Sequence, residues 1–257
     1  MGPSGVKAIQ EKLPNIIKEK KIDFVILNGE NAGDRGVGIT KKIFEEFLKA
    51  GADVITTGNH VWDEKEAMEF ISKDARLLRP ANLIEGSPGN GMGIYISKNK
   101  KKVAVLNLMG NVYMKKCENV FKEARKFIEK IKLKKDVDFV VVDMHGEITS
   151  EKMAMGYFFD GKATLLVGTH THIPTNDCRI LTNGTAYLTD AGMCGDYDSV
   201  IGMNKINSLN RFLKKESKKH YPAEGEATLS GLIVECNTSN GLAKKVETFI
   251  HGGELTK

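Results

Sequence analysis

Two patterns of apolar residues alternate along the chain. Short apolar runs, about the length of a buried strand, are followed by stretches whose apolar residues recur every three or four positions, as on one face of a helix. Residues 22–27, 53–57, 93–97, 103–108, 137–144 and 164–167 read as strands. A helix over 6–20 precedes them. Between the strands, 40–50 carries Ile43, Phe47 and Leu48 at helical spacing, and 65–72 reads as a further helix. Residues 117–131 align Val120, Ala124, Phe127, Ile128 and Ile131 on one face, and 150–158 form another helical stretch. Beyond Pro174 the pattern changes. Residues 178–181, 186–188, 229–236 and 243–250 read as strands with hairpin-like spacing. Segment 204–226 interrupts them, carries a helix at 206–215, and is expected to be a helical flap over a site. The whole predicts an α/β fold of mixed β-sheets layered with flanking helices. With no repeat and no linker, 1–257 is expected to be a single domain.

Composition narrows the function classes. At 41% hydrophobic and 28% charged, the chain of 257 residues reads as an ordinary soluble globular protein. A net charge of +5 mildly favours anionic substrates and does not indicate a stable nucleic-acid complex. The lysine runs at 98–102 and 214–219 read as solvated faces. Four dispersed cysteines, Cys117, Cys178, Cys194 and Cys236, form no CxxC, which points to reduced thiols and a cytoplasmic setting. No apolar run approaches the roughly 20 residues that span a membrane, and the N-terminus lacks the apolar core of a signal peptide.

The candidate chemistry lies where strands end. The four expected strands at 22–27, 53–57, 137–144 and 164–167 run into Asn28-Gly29-Glu30-Asn31, Gly58-Asn59-His60, His145-Gly146-Glu147 and Gly168-Thr169-His170-Thr171-His172. Four of the six histidines fall there, while His220 and His251 sit in polar stretches. Ligand crevices of open α/β sheets form at the carboxyl ends of strands. Strand alternation would point His170 and His172 to one side. Imidazoles, a carboxylate and a carboxamide suit Fe, Mn or Zn better than Ca or Mg. The ligands are more than one four-coordinate ion needs, and two ions about 3.5–4 Å apart would use them.

These motifs carry a resemblance. Gly-Asn-His after the second strand, a lone strand-end histidine and then GxHxH resemble the calcineurin-like metallophosphoesterases. "NGENAGDRGVGIT", "TGNHVWD", "RPAN", "DMHGEITSEKMAMGYFFDGKATLLVGTHTHIPT" and "LTDAGMCGDYDSVIGM" narrow it to the YmdB-like family, over most of the chain. The resemblance implies an α/β/β/α sandwich, two transition-metal ions and hydrolysis of 2′,3′-cyclic nucleotides by a metal-bridging hydroxide. It implies that Glu30 bridges the ions, that Asn59, His145 and His170 complete one, and that His172 with Asn31 serves the other. His60 is then the proton donor to the departing ribose oxygen. Asp63 is either its orienting partner or a helix N-cap. Gly192, Gly195 and Ser199 are either substrate contacts or parts of a glycine-rich turn. The resemblance also leans to a homo-oligomer. The start departs from the family, which opens with a strand ending in Gly-Asp, whereas Met1-Gly2-Pro3-Ser4-Gly5 runs straight into a helix. The expectation is an N-terminally truncated domain, or a molecule lacking that strand and its Asp ligand. A general phosphomonoesterase and a non-catalytic regulator with the same fold are the competing functions.

Overall fold

The computed structural model of the protein describes residues 1–256. The first helix, α1 (Gly2–Lys20), starts earlier than the apolar pattern suggests. Pro3 fits its first turn, where the missing N–H would have no partner. Gly5 lies within the helix, where an added Cβ would stand 2.2 Å from the Cys194 carbonyl oxygen. The helix ends at Lys21 in the left-handed conformation (φ 53°), and Ile22 folds back to donate its N–H to Ile17 O at 3.0 Å. This cap takes Ile22 out of the expected strand, so β1 is only Ile26–Asn28.

β1 pairs in parallel with β2 (Val54–Thr56) across α2 (Lys41–Lys49), whose N-terminus is capped by the Thr40 side chain. The helix expected at 65–72 is a single turn, α3 (Ala67–Phe70). It has no side-chain cap, because the Glu66 carboxylate accepts from the Lys41 amide instead. Next come β3 (Met92–Ile96), β4 (Lys102–Met109), α4 (Val120–Lys130), β5 (Phe139–His145), α5 (Thr149–Phe159) and β6 (Leu165–Thr169). The last strands are β7 (Arg179–Ile180), β8 (Ala186–Leu188), β9 (Gly195–Asp196), β10 (Ala227–Cys236) and β11 (Ala243–His251), with α6 (Lys205–Phe212) before β10. The periodicity gave no sign of β9, which is too short to show one.

The largest sheet runs β3-β4-β5-β6-β8-β7 and is mixed. β4, β5, β6 and β8 are parallel, while β3 and β7 pair antiparallel at its edges. A second, antiparallel sheet runs β11-β10-β9. The β1–β2 pair packs face to face on the large sheet through Val54, Leu78, Val103, Val105 and Phe139. Helices α4 and α5 cover the other face of the large sheet, with Ala124, Phe127, Met155 and Phe159 against Val140, Val142 and Leu166. Helices α1 and α2 cover β2 and β10, with Ile9, Leu13, Phe44 and Phe47 against Ile55 and Leu229. The result is the expected sandwich of two sheet layers between two helical layers. No helix among the described residues is long and apolar enough to cross a membrane.

Candidate metal centre

Residues following β1, β2 and β6 meet the last residue of β5 at one edge of the sandwich. Glu30 and His145 are almost fully buried, at 2% and 1% exposure. Around His145 Nε2 stand Glu30 Oε2 at 2.9 Å, Asn59 Oδ1 at 3.0 Å and His170 Nδ1 at 3.1 Å. Ligand atoms of Glu30, His145 and His170 all lie within 4.8 Å of one another. Gly58 makes the approach possible, since a Cβ there would lie 2.3 Å from the His145 ring.

The outer partners fix which nitrogen of each ring carries its proton. Thr169 Oγ1 donates to Asp143 Oδ1 at 2.7 Å, so it must accept from His145 Nδ1, 2.9 Å away. His145 Nε2 is then a lone pair. His170 Nε2 lies 3.1 Å from Glu147 Oε2 and donates to it, which turns the Nδ1 lone pair inward. His172 Nδ1 donates to Ile201 O at 2.7 Å, so its Nε2 carries the lone pair that faces Asn31 Nδ2. Two imidazole lone pairs, a carboxylate oxygen and an amide oxygen thus converge on one point. Such a set repels itself unless a cation sits among it, and histidines whose second nitrogen is held by a carboxylate or hydroxyl are the usual metal ligands.

Burial raises the pKa of the Glu30 carboxyl, but the His145 charge and hydrogen bond outweigh it and hold it at about 2. Burial opposes protonation of His145, yet Glu30 leaves its pKa raised. Burial, reinforced by the His145 charge, lowers His170 to about 4. Burial also lowers His172. Both of these rings are neutral and ready to bind a metal at neutral pH.

A second donor pair lies alongside. Asn31 Nδ2 is 2.9 Å from His172 Nε2, and Asn31 Oδ1 is buried without a partner. A cation between them would be held by the Nε2 lone pair together with Oδ1 of the amide turned over, giving that oxygen a partner. The residues therefore fit a metal centre.

His60 stands beside this set. Its backbone N–H donates to Glu30 Oε1 at 2.8 Å, and its Nδ1 lies 2.7 Å from Asp63 Oδ2. Asp63 orients the imidazole and caps no helix, since α3 begins after Glu66. Lys115 Nζ donates to Asn59 O at 2.7 Å and to the other Asp63 oxygen at 3.4 Å.

One feature departs from the sequence reading. The shared direction of His170 and His172 is not strand alternation, because β6 ends at Thr169. Both residues have positive φ, 106° and 69°, which non-glycine side chains rarely adopt and which costs about 1–3 kcal/mol each. Gly192, Gly195 and Ser199 make bonds of the glycine-rich segment that was one of their two expected roles. The Gly192 amide donates to Asp190 Oδ1, Gly195 is buried in β9 against Met1, and the Ser199 hydroxyl donates to Asp196 O and accepts from the Gly202 amide.

Several supporting residues had no counterpart in the pattern. Asp143 is buried and accepts from Thr56 Oγ1 at 2.5 Å and Asn28 Nδ2 at 3.0 Å as well as from Thr169. Asn28 Oδ1 in turn accepts the Glu30 amide at 3.2 Å. One carboxylate thereby supports both Glu30 and His145. Glu147, Lys152 and Asp190 are likewise supports; all three lie inside the quoted motifs, but nothing in those motifs marks them as supports.

Known proteins resemble this chain over nearly its whole length. The family described as "YmdB-like protein" matches residues 1–249. A Bacillus subtilis (strain 168) protein named 2′,3′-cyclic-nucleotide 2′-phosphodiesterase is 40% identical over 250 residues, covering 97% of this chain and 93% of that protein. A hypothetical protein from Thermus thermophilus superposes with a TM-score of 0.89 at 33% identity, covering 98% of this chain and 95% of that one. A structure described as a novel phosphatase from Mycoplasma pneumoniae gives a TM-score of 0.89 at 34% identity, over 98% and 90% of the two chains. Fold, site and relatives together define a hydrolytic enzyme of the metallophosphoesterase type. Within that class, the chain belongs to the YmdB-like family.

Proposed function

We propose that the protein is a two-metal phosphodiesterase that opens 2′,3′-cyclic nucleotides. The observation that carries the reading is the convergence of Glu30 Oε2, Asn59 Oδ1 and His170 Nδ1 on His145 Nε2 within 3.1 Å, with the Asn31–His172 pair beside it. Glu30 would serve both ions, Asn59, His145 and His170 one, and Asn31 with His172 the other. Iron or manganese suits this donor set best, and zinc also fits it. Bound ions lower the pKa of an attacking water and offset charge building on the phosphoryl oxygens.

The chain's own residues supply the rest. His60, with Nδ1 tied to Asp63, presents Nε2 as the proton donor to the departing ribose oxygen. Lys115 holds Asp63 from the other side and places a cation beside the site for an anionic substrate. The name of the Bacillus relative specifies the 2′ ester, so that bond is the one expected to break. We take 1–257 as one domain and segment 204–226 as a flap. It begins just beyond Ile201, whose carbonyl accepts from His172, and folds back through the Met203–Pro222 bridge. A self-associating protein working on small substrates in the cytoplasm, with no stable nucleic-acid or membrane partner, accords with this reading.

The test is a substrate panel on protein reconstituted with Mn²⁺ or Fe²⁺. Turnover of 2′,3′-cyclic AMP to a 3′-monophosphate, abolished by chelation, is expected. Phosphomonoester hydrolysis with no action on the cyclic diester would overturn the substrate assignment.

A further inference from the structure

Directly beneath the site lies an ion pair that neither binds nor transfers anything in this reading. Lys152 and Asp190 are both 0% exposed, and Lys152 Nζ donates to Asp190 Oδ2 at 2.7 Å. We propose that this pair is a positioning clamp that sets His170 and His172 in their left-handed conformations, so that both metal-facing nitrogens are in place before an ion arrives. The proposal rests on the metal-centre reading above.

The connections are direct. Asp190 Oδ2 also accepts the amide of Thr171, the residue between the two histidines, at 3.1 Å. Its Oδ1 accepts the Gly192 amide at 2.9 Å, its backbone N–H donates to Thr175 Oγ1 at 2.9 Å, and its carbonyl accepts the Thr175 amide at 3.1 Å. One residue therefore fastens the middle of the histidine segment and the chain beyond it. Further backbone bonds hold the segment's two sides, from the Ala191 amide to Gly168 O at 2.9 Å and from the Met193 amide to His172 O at 3.1 Å. Lys152 reaches Asp190 by passing under Gly168, where an added Cβ would lie 2.8 Å from Lys152 Cδ and 1.8 Å from Thr189 O.

A fully buried ion pair is a weak source of stability, because desolvation offsets most of its attraction and apolar replacements often do as well. What an apolar pair cannot do is accept two amides at fixed positions. That leaves the geometry of the 170–172 segment, whose two residues of positive φ relax unless something holds them, as the role for the pair.

The experiment measures Mn²⁺ affinity and melting temperature for the wild type, Lys152→Met, and the double variant Lys152→Met/Asp190→Asn. The single variant leaves a buried carboxylate unpaired and should be markedly less stable. The double variant removes both charges but keeps one of the two amide acceptors, so it should melt between the single variant and the wild type and bind Mn²⁺ about 10–100-fold more weakly. A double variant that folds and binds Mn²⁺ like the wild type overturns the clamp and leaves the metal centre standing. A wild type that takes up no Mn²⁺ overturns both. Should the double variant fail to fold, hydrogen exchange of the chelated wild type decides. Slow exchange at the Thr171 and Gly192 amides supports the clamp, and exchange as fast as in open loops refutes it.

Discussion

At the scale of single residues, the division of labour between His60 and the converging histidines is the sharpest claim. His60→Ala should lower kcat by about 10²–10⁴-fold, as loss of a general acid does, while metal content stays near that of the wild type. His145→Ala or His170→Ala should lose metal and activity together. Metal analysis alongside kinetics separates the cases, and a His60→Ala protein stripped of metal would make His60 a ligand. The histidines also predict a pH response. The His170 pKa falls from 6.5 in the unfolded chain to about 4 in the folded one. A depressed folded-state pKa contributes stability that is fully present above 6.5 and lost as pH falls through 4. His145, shifted upward, opposes that slope just below pH 6.5 and adds none once the unfolded ring is also protonated, while Glu30, lowered to about 2, adds to the loss as pH falls through 4.5. Urea midpoints of chelated protein should therefore drop between pH 6.5 and 4, and a flat profile would contradict the burial of His170. The convergence of Glu30, Asn59, His145 and His170 was legible in the sequence because each stands at or just beyond the end of a strand, and those ends meet at one edge of the sandwich. Glu147, Asp143 and Asp190 were not, because their roles depend on hydrogen bonds to residues distant in the chain.

At the scale of elements, the apolar pattern located nearly every strand and helix and misjudged their ends. Local hydrogen bonds explain the errors. Ile22 was claimed by the cap of α1, and α3 stayed one turn long without a capping side chain. The His170–His172 pair is the instructive case, since its residues converge through left-handed backbone beyond the end of β6 and not through strand periodicity. The seat of α1 on β9 gives a prediction of its own. Gly5→Ala puts a Cβ 2.2 Å from the Cys194 carbonyl oxygen, which should force the helix off the strand and cost about 1–3 kcal/mol. Thermal melting measures this, and an unchanged melting temperature would mean that the helix–strand contact is looser than described.

At the scale of the whole molecule, the two sheet layers serve to bring four chain segments to one edge. The metal centre couples back to the fold through the same junction. An ion that binds the folded state alone stabilises it by about 2.7 kcal/mol at a concentration one hundred times its dissociation constant. Mn²⁺ should therefore raise the melting temperature of the wild type, and not that of His145→Ala. The layer order was legible because buried strands and amphipathic helices alternate. The pairing of β9 with β10 was not, since two residues carry no periodicity. The most direct measurement is anomalous scattering from crystals soaked in Mn²⁺. The account predicts a peak about 2.0–2.3 Å from Glu30 Oε2, Asn59 Oδ1, His145 Nε2 and His170 Nδ1, with a second peak between Asn31 and His172. No peak among those atoms, or a peak bound by His60, would contradict it.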